Sequence, residues 1–175
     1  MKPWMSQIEI DTITKYLSKD SVMLEYGCGG STLHFCDFVK KYYSVEHNTE
    51  WYNKMSKLAK PNTKIFHVLN YPNLDEKQVT AKNWDELDHS SRSREFAEYI
   101  KFPATLNEVF DAVLVDGRAR PECAKFIYDY VKDDGVVFMH DYWMRKHYHV
   151  VEGRYKVIDA VKDGQSLVVF KKNKE

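Results

Sequence analysis

The sequence has few cysteines and no long apolar run. Its three cysteines are Cys28, Cys36 and Cys123, and they form no C-x-x-C pair. Their odd number and wide spacing argue against a disulfide framework and against a cysteine zinc site. A membrane-spanning helix needs about 18 consecutive apolar residues, and a signal peptide needs an apolar core near the N-terminus. Because the sequence shows neither pattern, we expect a cytoplasmic protein without a membrane partner.

An excess of charge of either sign is also missing. The 26 basic and 26 acidic residues cancel, and the sequence pI is near 7.1. A strongly basic nucleic-acid-binding protein is therefore not the expected class, and we expect no nucleic-acid partner. Glycine and proline are scarce, with seven and five residues, while aromatic residues make up 14% of the chain. This composition argues against disorder, and the length fits a single domain over residues 1–175.

The apolar residues occur in short runs that alternate with helical patterns. Ser6 and Glu9 form a capping-box pattern, which predicts a helix that starts at Ser6. Five strands are predicted at residues 22–26, 42–46, 65–69, 112–116 and 136–139, and a hairpin with strands at 155–161 and 166–170 follows. We therefore predict an α/β fold with one doubly wound, mostly parallel sheet, helices on both faces and an antiparallel strand at its C-terminal edge.

Residues 70–102 interrupt this alternation. The segment is polar, joins two predicted strands and contains Trp84 and the run HSSRSRE. Connections of such length are usually functional. We predict a lid over about residues 70–102, with a helix in its last part, from Arg94 to Ile100.

The sharpest motif is the segment EYGCGGST, which runs from Glu25 to Thr32. It follows a buried strand and opens a helix, and its glycines let the backbone turn tightly and let a ligand approach closely. Ligands of such sheets bind at the carboxyl ends of the strands. The next strand ends in Glu46, where a carboxylate can accept hydrogen bonds from both ribose hydroxyls of an adenosine. The pattern therefore indicates a nucleoside-containing cofactor.

Two cofactor classes use such a turn. A dinucleotide requires G-x-G-x-x-G, and counting from Gly27 the third glycine position is Thr32. S-adenosylmethionine does not require that glycine, but it requires an acidic residue before the turn, and Glu25 supplies a carboxylate that can meet the methionine ammonium directly or through water. An oxidoreductase also usually has a second, substrate-binding domain, which a chain of this length does not accommodate. The residues therefore favour S-adenosylmethionine.

At this point the sequence resembles the class I S-adenosylmethionine-dependent methyltransferases, in particular small domains related to O-methyltransferases. The resemblance rests on four blocks in order: EYGCGGS from residue 25, SVEH from 44, FDAVLVDG from 110 and DGVVFMHDY from 134. It implies a seven-stranded sheet whose last hairpin is reversed. It also implies the positions that contact the cofactor, which are Glu25, Gly27, Cys28, Gly29, Ser31, Thr32 and Glu46, with His47 and Asn70 near the adenine.

Polar residues end the fourth and fifth predicted strands. Adjacent strands lie about 4.8 Å apart, so Asp116 and Asp141 are expected to be close enough to hold one Mg²⁺ or a similar cation, which would activate an acceptor hydroxyl. Alternatively, His140 acts as a general base, or the two aspartates only cap turns. Because Arg118 and Arg120 follow Asp116 directly, their charges disfavour a dication nearby. We treat Asp116, His140 and Asp141 as the candidate catalytic residues.

Four further residues are candidates for acceptor binding. The guanidinium groups of Arg118 and Arg120 suit a carboxylate or phosphate, although both can instead form ion pairs within the protein. Tyr142 and Trp143 start an aromatic and basic segment that can form an acceptor wall or simply cover the end of the sheet.

The combined pattern predicts an S-adenosylmethionine-dependent O-methyltransferase that acts on a small or saccharide acceptor, with an acidic acceptor as one option. The alternative is a module that binds S-adenosylmethionine or S-adenosylhomocysteine without methyl transfer. A nucleotide-dependent oxidoreductase and a nucleic-acid methyltransferase are weaker alternatives, because the third glycine and a basic surface charge are missing.

Overall fold

The computed structural model describes residues 1–69, 89–164 and 166–173. Seven strands within these ranges form one sheet. They are β1 (Val22–Tyr26), β2 (Lys41–Glu46), β3 (Thr63–His67), β4 (Phe110–Val115), β5 (Val131–His140), β6 (Tyr155–Val161) and β7 (Leu167–Lys172).

The strand order in the sheet is β3-β2-β1-β4-β5-β7-β6. The pairs from β3 to β5 are parallel, whereas β7 is antiparallel to both β5 and β6. This topology confirms the predicted mostly parallel sheet with a C-terminal hairpin. The antiparallel strand is not at the edge, however, because β7 lies between β5 and β6. The reason is burial: Leu167 to Phe170 are buried on both faces, while Lys156 to Ile158 of β6 are exposed, as suits an edge strand.

Six α-helices lie in the described ranges, and some shorter connections are 3₁₀ turns. The helices are α1 (Gln7–Thr14), α2 (Gly30–Phe35), α3 (Thr49–Ser56), α4 (His89–Glu95), α5 (Ala97–Lys101) and α6 (Arg120–Ile127). None of these helices is long and apolar enough to cross a membrane.

The sheet has an apolar core on each of its two faces. Along β4, Val113 and Val115 point into one cluster together with Ile127 of α6, and Ala112 and Leu114 point into the other. The second cluster also contains residues of α1 and α2. Because both faces are covered, the central strands are continuously apolar rather than alternating. This burial explains why the short apolar runs identify the strands.

Several strand boundaries differ from the prediction, in particular those of β5 and β3. Strand β5 begins at Val131 rather than at 136, because Phe110 pairs with Val131 and Ala112 with Val136. Gly135 therefore lies at an irregularity within the strand and not in a preceding turn. Strand β3 covers Thr63–His67 rather than 65–69, since its register follows Tyr42 to Glu46 of β2.

The first helix begins as predicted. Ser6 is the N-cap of α1, its Oγ accepts from the Glu9 N–H at 3.3 Å, and Glu9 Oε2 accepts from the Ser6 N–H at 2.8 Å. The capping box is confirmed. It also fixes Glu9 in a fully buried position.

The predicted insertion is described only in its last part. Asn70 and Trp84 lie outside the described residues, so the proposed role of Asn70 near the adenine stays a prediction. Helices α4 and α5 confirm the helical expectation for residues 94–100, with an interruption at Phe96. The function of residues 70–102 as a lid also stays a prediction.

Candidate functional site

Gly27 shapes the turn between β1 and α2. Its φ of +103° is accessible mainly to glycine, and an added Cβ would lie 3.2 Å from Gly117 in the loop after β4. The Gly27 N–H donates to the Val45 carbonyl at 2.8 Å, and Ser44 Oγ donates to the Gly27 carbonyl at 2.6 Å. Because Gly117 directly follows Asp116, the turn lies beside the end of β4.

Glu25 lies beneath this turn and is 1% exposed. Its carboxyl group accepts hydrogen bonds from the hydroxyls of Ser31, of Thr32 at 2.5 Å and of Tyr42 at 2.9 Å. Burial raises the pKa of Glu25 to about 8, which the hydroxyl bonds offset only in part. Glu25, Ser31 and Thr32 thus form a buried hydrogen-bonded group next to the turn. Contact of Glu25 with a methionine ammonium, directly or through water, stays a prediction, as do the cofactor contacts of Ser31 and Thr32.

Cys28 and Gly29 form the upper part of the turn. The Trp51 indole Nε1–H donates to the Cys28 carbonyl, and the Gly29 N–H donates to Thr32 Oγ1 at 2.9 Å. An added Cβ on Gly29 would meet only ordinary contacts, the nearest being Trp51 Nε1 at 3.8 Å. The turn is thus fixed from below by hydroxyls and from the side by an indole, which no local motif in the sequence reveals.

Glu46 ends β2 beside the turn and is 4% exposed. Its Oε2 accepts from the Cys28 N–H at 3.0 Å, and its Oε1 accepts from the N–H groups of His47 at 2.9 Å and Asn48 at 2.8 Å. Burial alone would raise the pKa of Glu46, but the bonds from His47, Asn48 and Cys28 outweigh it and lower the pKa. Glu46 is therefore held as a carboxylate at the carboxyl end of β2.

His47 lies between Glu46 and the helices after the insertion. Its Nδ1 is 3.0 Å from Glu46 Oε1, and its ring centroid lies 5.9 Å from that of Phe96 and 5.8 Å from that of Tyr99. The side chain is 14% exposed. Contact of His47 with an adenine stays a prediction.

The predicted catalytic residues meet at the ends of β4 and β5. His140 Nδ1 lies 3.0 Å from Asp116 Oδ1. The Arg120 guanidinium lies 3.3 Å from Asp116 Oδ1 and 3.0 Å from Asp141 Oδ2. Arg120 also donates to the carbonyls of His140 at 2.6 Å and Gly117 at 2.9 Å. One guanidinium therefore holds both loops and both carboxylates in place.

The charges of this cluster reinforce one another. Burial alone would raise the pKa of Asp116, but Arg120 and His140 outweigh it, so that the Asp116 pKa is lowered. Burial alone would lower the pKa of His140, but Asp116 outweighs it, so that the His140 pKa is raised. The pair therefore favours a carboxylate at Asp116 and an imidazolium at His140.

The two aspartates do not form a divalent-cation site. The Arg120 guanidinium bridges the carboxylates of Asp116 and Asp141, and it would repel a dication held by them. Within residues 1–69, 89–164 and 166–173, no group of three or more His, Cys, Asp or Glu could hold a metal ion. The residues present do not fit the metal, and its prediction at Asp116 and Asp141 is corrected.

His140 does not face the open side of the site. It is 4% exposed, and its Nε2 lies 3.4 Å from Oε1 of the buried Glu9 in α1. Because each ring nitrogen faces a carboxylate, the direct general-base role predicted for His140 is corrected. Asp116 and Asp141, each with 22% of its side chain exposed, are the members of the cluster that reach the surface.

The chain bends sharply after β5. Asp141 has a left-handed φ of +57°, and its N–H donates to the Ser166 carbonyl at 2.8 Å. The bend turns Tyr142 into the core, where it is fully buried and its hydroxyl donates to Glu152 at 2.5 Å. The prediction that Tyr142 forms an acceptor wall is therefore wrong. Trp143 is half-buried and lies under Lys162 Nζ, 4.8 Å from the ring, and its acceptor role stays a prediction.

The two predicted acceptor arginines differ in their surroundings. Arg120 is committed to Asp116 and Asp141, as described above. Arg118 is half-buried, and its side chain makes no ion pair or hydrogen bond with the described residues. Arg118 therefore keeps its donors available at the surface beside Asp116.

Solved structures with the same architecture are known. A methyltransferase-like protein from Silicibacter pomeroyi superposes with a TM-score of 0.71 at 23% identity, over 98% of this chain and 88% of that chain. The chain has the Rossmann-like fold of the class I S-adenosylmethionine-dependent methyltransferases. No protein-family model and no curated protein sequence matches it.

Two further solved structures show how widely this fold is used. A putative caffeoyl-CoA O-methyltransferase from Staphylococcus aureus has a TM-score of 0.61 at 11% identity, covering 98% of this chain and 86% of that chain. An rRNA methylase from Streptococcus thermophilus has a TM-score of 0.60 at 15% identity, covering 95% of each chain. Such different proteins share the fold, so the fold alone does not select an acceptor.

Proposed function

We propose that the protein is an S-adenosylmethionine-dependent methyltransferase that methylates an oxygen of a small or saccharide acceptor. The observation that carries the proposal is the close approach of Gly27 to Gly117, where a Cβ added to Gly27 would lie 3.2 Å from Gly117. It joins a glycine turn suited to a nucleoside amino acid with a loop that begins at a partly exposed carboxylate, Asp116. A cofactor site and a proton acceptor are thereby adjacent.

The residues of the turn fit this cofactor. Glu46 is a buried carboxylate with a lowered pKa at the end of β2, the position where an acidic residue accepts hydrogen bonds from ribose hydroxyls. Gly29 leaves room for close approach of a ligand, and Trp51 borders it. Thr32, which occupies the third glycine position of a dinucleotide turn, is buried and bonded to Glu25. These features support S-adenosylmethionine over a dinucleotide.

Each residue of the site has a separate task in this proposal. When bound, S-adenosylmethionine supplies an electrophilic methyl group on a sulfonium, so that the S–CH₃ bond breaks, an O–CH₃ bond forms and S-adenosylhomocysteine remains. The chain holds the acceptor oxygen in line with that methyl. Asp116 receives the hydroxyl proton, because it is the partly exposed carboxylate beside the turn. His140 and Arg120 are positioning residues, since they fix Asp116 from behind.

Turnover measurement tests the proposal. Purified protein is incubated with S-adenosylmethionine and a panel of hydroxylated acceptors, and S-adenosylhomocysteine is quantified. We expect acceptor-dependent production that Asp116→Asn reduces by about 10²-fold or more, as is typical for loss of a proton acceptor. Asp129→Asn serves as the matched control, because Asp129 is an exposed carboxylate that lies just after the end of α6. Binding of S-adenosylhomocysteine without turnover on any acceptor would instead support a cofactor-binding module.

A further inference from the structure

A basic pocket opens beside Asp116, and it is lined by Arg92, Arg118, Arg120, Arg145, His147 and Tyr148. These residues come from three parts of the chain: helix α4, the start of α6 and the segment after β5. We call this group the arginine pocket. The backbone of Gly117, which contacts the glycine turn, also lines it. The pocket therefore adjoins both the cofactor turn and the proposed proton acceptor.

The arginines of the arginine pocket differ in their carboxylate partners among the described residues. Arg120 is shared between Asp116 and Asp141 at 3.3 and 3.0 Å, and Arg145 approaches Asp141 at 3.6 Å. Arg118 makes no ion pair within the described part of the chain. Arg118 is therefore a guanidinium at this pocket without a carboxylate partner among the described residues.

The fourth arginine of the pocket, Arg92, is held by an ion pair with Glu122. Arg92 Nε lies 3.1 Å from Oε1 of the buried Glu122, and the Arg92 side chain is only 12% exposed. This ion pair joins α4 to the first turn of α6. It fixes one guanidinium at the pocket before any ligand arrives.

Tyr148 lies close to two arginines of the pocket, Arg120 and Arg145. The centres of the Arg120 and Arg145 guanidinium groups lie 6.0 and 5.6 Å from the centroid of its ring. An aromatic face attracts a guanidinium group within about 6 Å by cation–π contact. Guanidinium groups fixed in this way suit the oxygens of a phosphate or carboxylate, to which they donate paired, charge-assisted hydrogen bonds.

We propose that the arginine pocket binds an oxyanion, a phosphate or carboxylate, carried by a low-molecular-weight acceptor. This inference rests on the proposed methyltransferase function and names its substrate class. Arg118 and Arg145 contact the oxyanion, whereas Arg120 holds Asp116 and Asp141. The acceptor hydroxyl then lies beside Asp116, close to the cofactor turn.

The charge distribution favours a small acceptor over a nucleic acid. Protein surfaces that bind nucleic acid contact several successive phosphates and therefore carry a stripe of basic residues. Here the chain has no net charge, and the four arginines converge on one pocket. One pocket of this kind suits a single anionic group.

Binding of simple oxyanions tests the inference without a known acceptor. Inorganic phosphate and malonate are titrated separately by NMR into the wild-type protein, Arg118→Gln, Arg145→Gln and the control Arg94→Gln. Arg94 lies on the same helix as Arg92, is 69% exposed and pairs only with its neighbour Glu95 in the described chain. We expect phosphate, malonate or both to perturb the pocket resonances. Arg118→Gln and Arg145→Gln should each weaken that binding by about tenfold or more, the loss expected for a charge-assisted hydrogen bond, and Arg94→Gln should not.

The two oxyanions also identify the source of the anionic group. Tighter binding of phosphate would indicate a phosphorylated acceptor, and tighter binding of malonate would indicate a carboxylated one. Absence of binding by both, or binding that Arg118→Gln leaves unchanged, would overturn the inference. A short RNA oligonucleotide that binds more tightly than phosphate and loses affinity in Arg118→Gln would overturn the small-acceptor assignment.

A separate titration with S-adenosylhomocysteine distinguishes this inference from the proposed function. Arg118→Gln should retain wild-type affinity for that nucleoside, because Arg118 is outside the glycine turn. Loss of nucleoside binding in the wild type would contradict the methyltransferase proposal, whereas intact nucleoside binding with an inert arginine pocket would contradict only the oxyanion inference.

Discussion

His140 Nδ1 lies 3.0 Å from Asp116 Oδ1, at the ends of two adjacent parallel strands. The imidazole is almost fully buried, so its charge depends on the carboxylates around it. Asp116 faces Nδ1, Asp141 lies 3.8 Å away and Glu9 faces Nε2, while Arg120 opposes protonation from the side. The contact therefore couples the charge of the exposed carboxylate to that of a hidden imidazole.

Substitution of Asp116 by Asn should lower the pKa of His140. The aspartate is the group that raises this pKa against the effect of burial, so its removal leaves desolvation dominant. A ¹H–¹⁵N NMR titration of the His140 ring measures the change directly, and Asp129→Asn is the control. An unchanged His140 titration in Asp116→Asn would show that the two side chains are not coupled.

Glu25→Gln should change the pH dependence of stability. The folded-state pKa of Glu25 is raised to about 8, so the neutral form is favoured in the fold. Its contribution to stability is complete below the unfolded pKa and is lost as the pH rises towards 8. The stability of the wild type relative to Glu25→Gln should therefore fall between pH 5 and 8, by up to about 1.4 kcal/mol per pH unit.

Denaturant unfolding of both proteins across this pH range provides the measurement. If the difference in unfolding free energy between the wild type and Glu25→Gln does not change with pH, the Glu25 pKa is the same in the folded and unfolded states. Glu108→Gln, at a half-buried carboxylate with a lowered pKa, should instead show the opposite sign, because its stabilising contribution is lost as the pH falls.

Gly27→Ala should destabilise the protein by about 1–3 kcal/mol. An alanine at a φ of +103° is strained, and its Cβ would press against Gly117 at 3.2 Å. Gly153→Ala is the matched control, since nothing lies within 4 Å of an added Cβ there. The two midpoints of thermal unfolding give the comparison, and equal stability of both variants would contradict the described turn geometry.

Divalent cations should neither bind to Asp116 and Asp141 nor support turnover. The Arg120 guanidinium already neutralises both carboxylates, and a dication would have to displace it. The thermal unfolding midpoint should be the same with Mg²⁺, with Mn²⁺ and with EDTA. A rise of the midpoint with either cation that Asp141→Asn abolishes would contradict this prediction and support a metal site.

The sequence identified the sheet because its signal is local. The central strands are buried on both faces, and short apolar runs between turns mark them directly. The position of β7 inside the sheet was not predictable from the hairpin alone, since either hairpin strand can pair with β5. The more buried strand, β7, pairs with β5. The apolar residues Val157 and Ile158 are exposed in β6, so the residue types do not reveal which strand lies at the edge.

The positions of the candidate site residues are easier to predict than their contacts. The end of each strand follows from the local pattern, so the sequence places Glu46, Asp116, His140 and Asp141 at or next to strand ends. Their partners are distant in sequence: Tyr42 bonds Glu25, and Glu9 faces His140. The capping box of Glu9 indicates only a helix start, and the bend at Asp141 that buries Tyr142 has no signal in residue alternation.

Glu46→Gln and Glu46→Ala should weaken binding of S-adenosylhomocysteine by about 10- to 100-fold, the range expected for a lost charge-assisted hydrogen bond. Glu46 is the buried carboxylate beside the turn, and the glutamine variant preserves its size. Calorimetric titration gives the affinities. The control is Glu108→Ala, which lies next to the opposite end of the sheet, and an affinity loss as large in this control would contradict a specific role for Glu46.

The most direct measurement is the thermal unfolding midpoint of the wild type with S-adenosylhomocysteine and, separately, with NAD⁺. A ligand at one hundred times its dissociation constant adds about 2.7 kcal/mol to the free energy of unfolding, which for a domain of this size raises the midpoint by roughly 5–11 °C. We predict a rise of this order with S-adenosylhomocysteine and none with NAD⁺. A rise with NAD⁺ alone, or with neither ligand, would contradict the assignment of the glycine turn as an S-adenosylmethionine site.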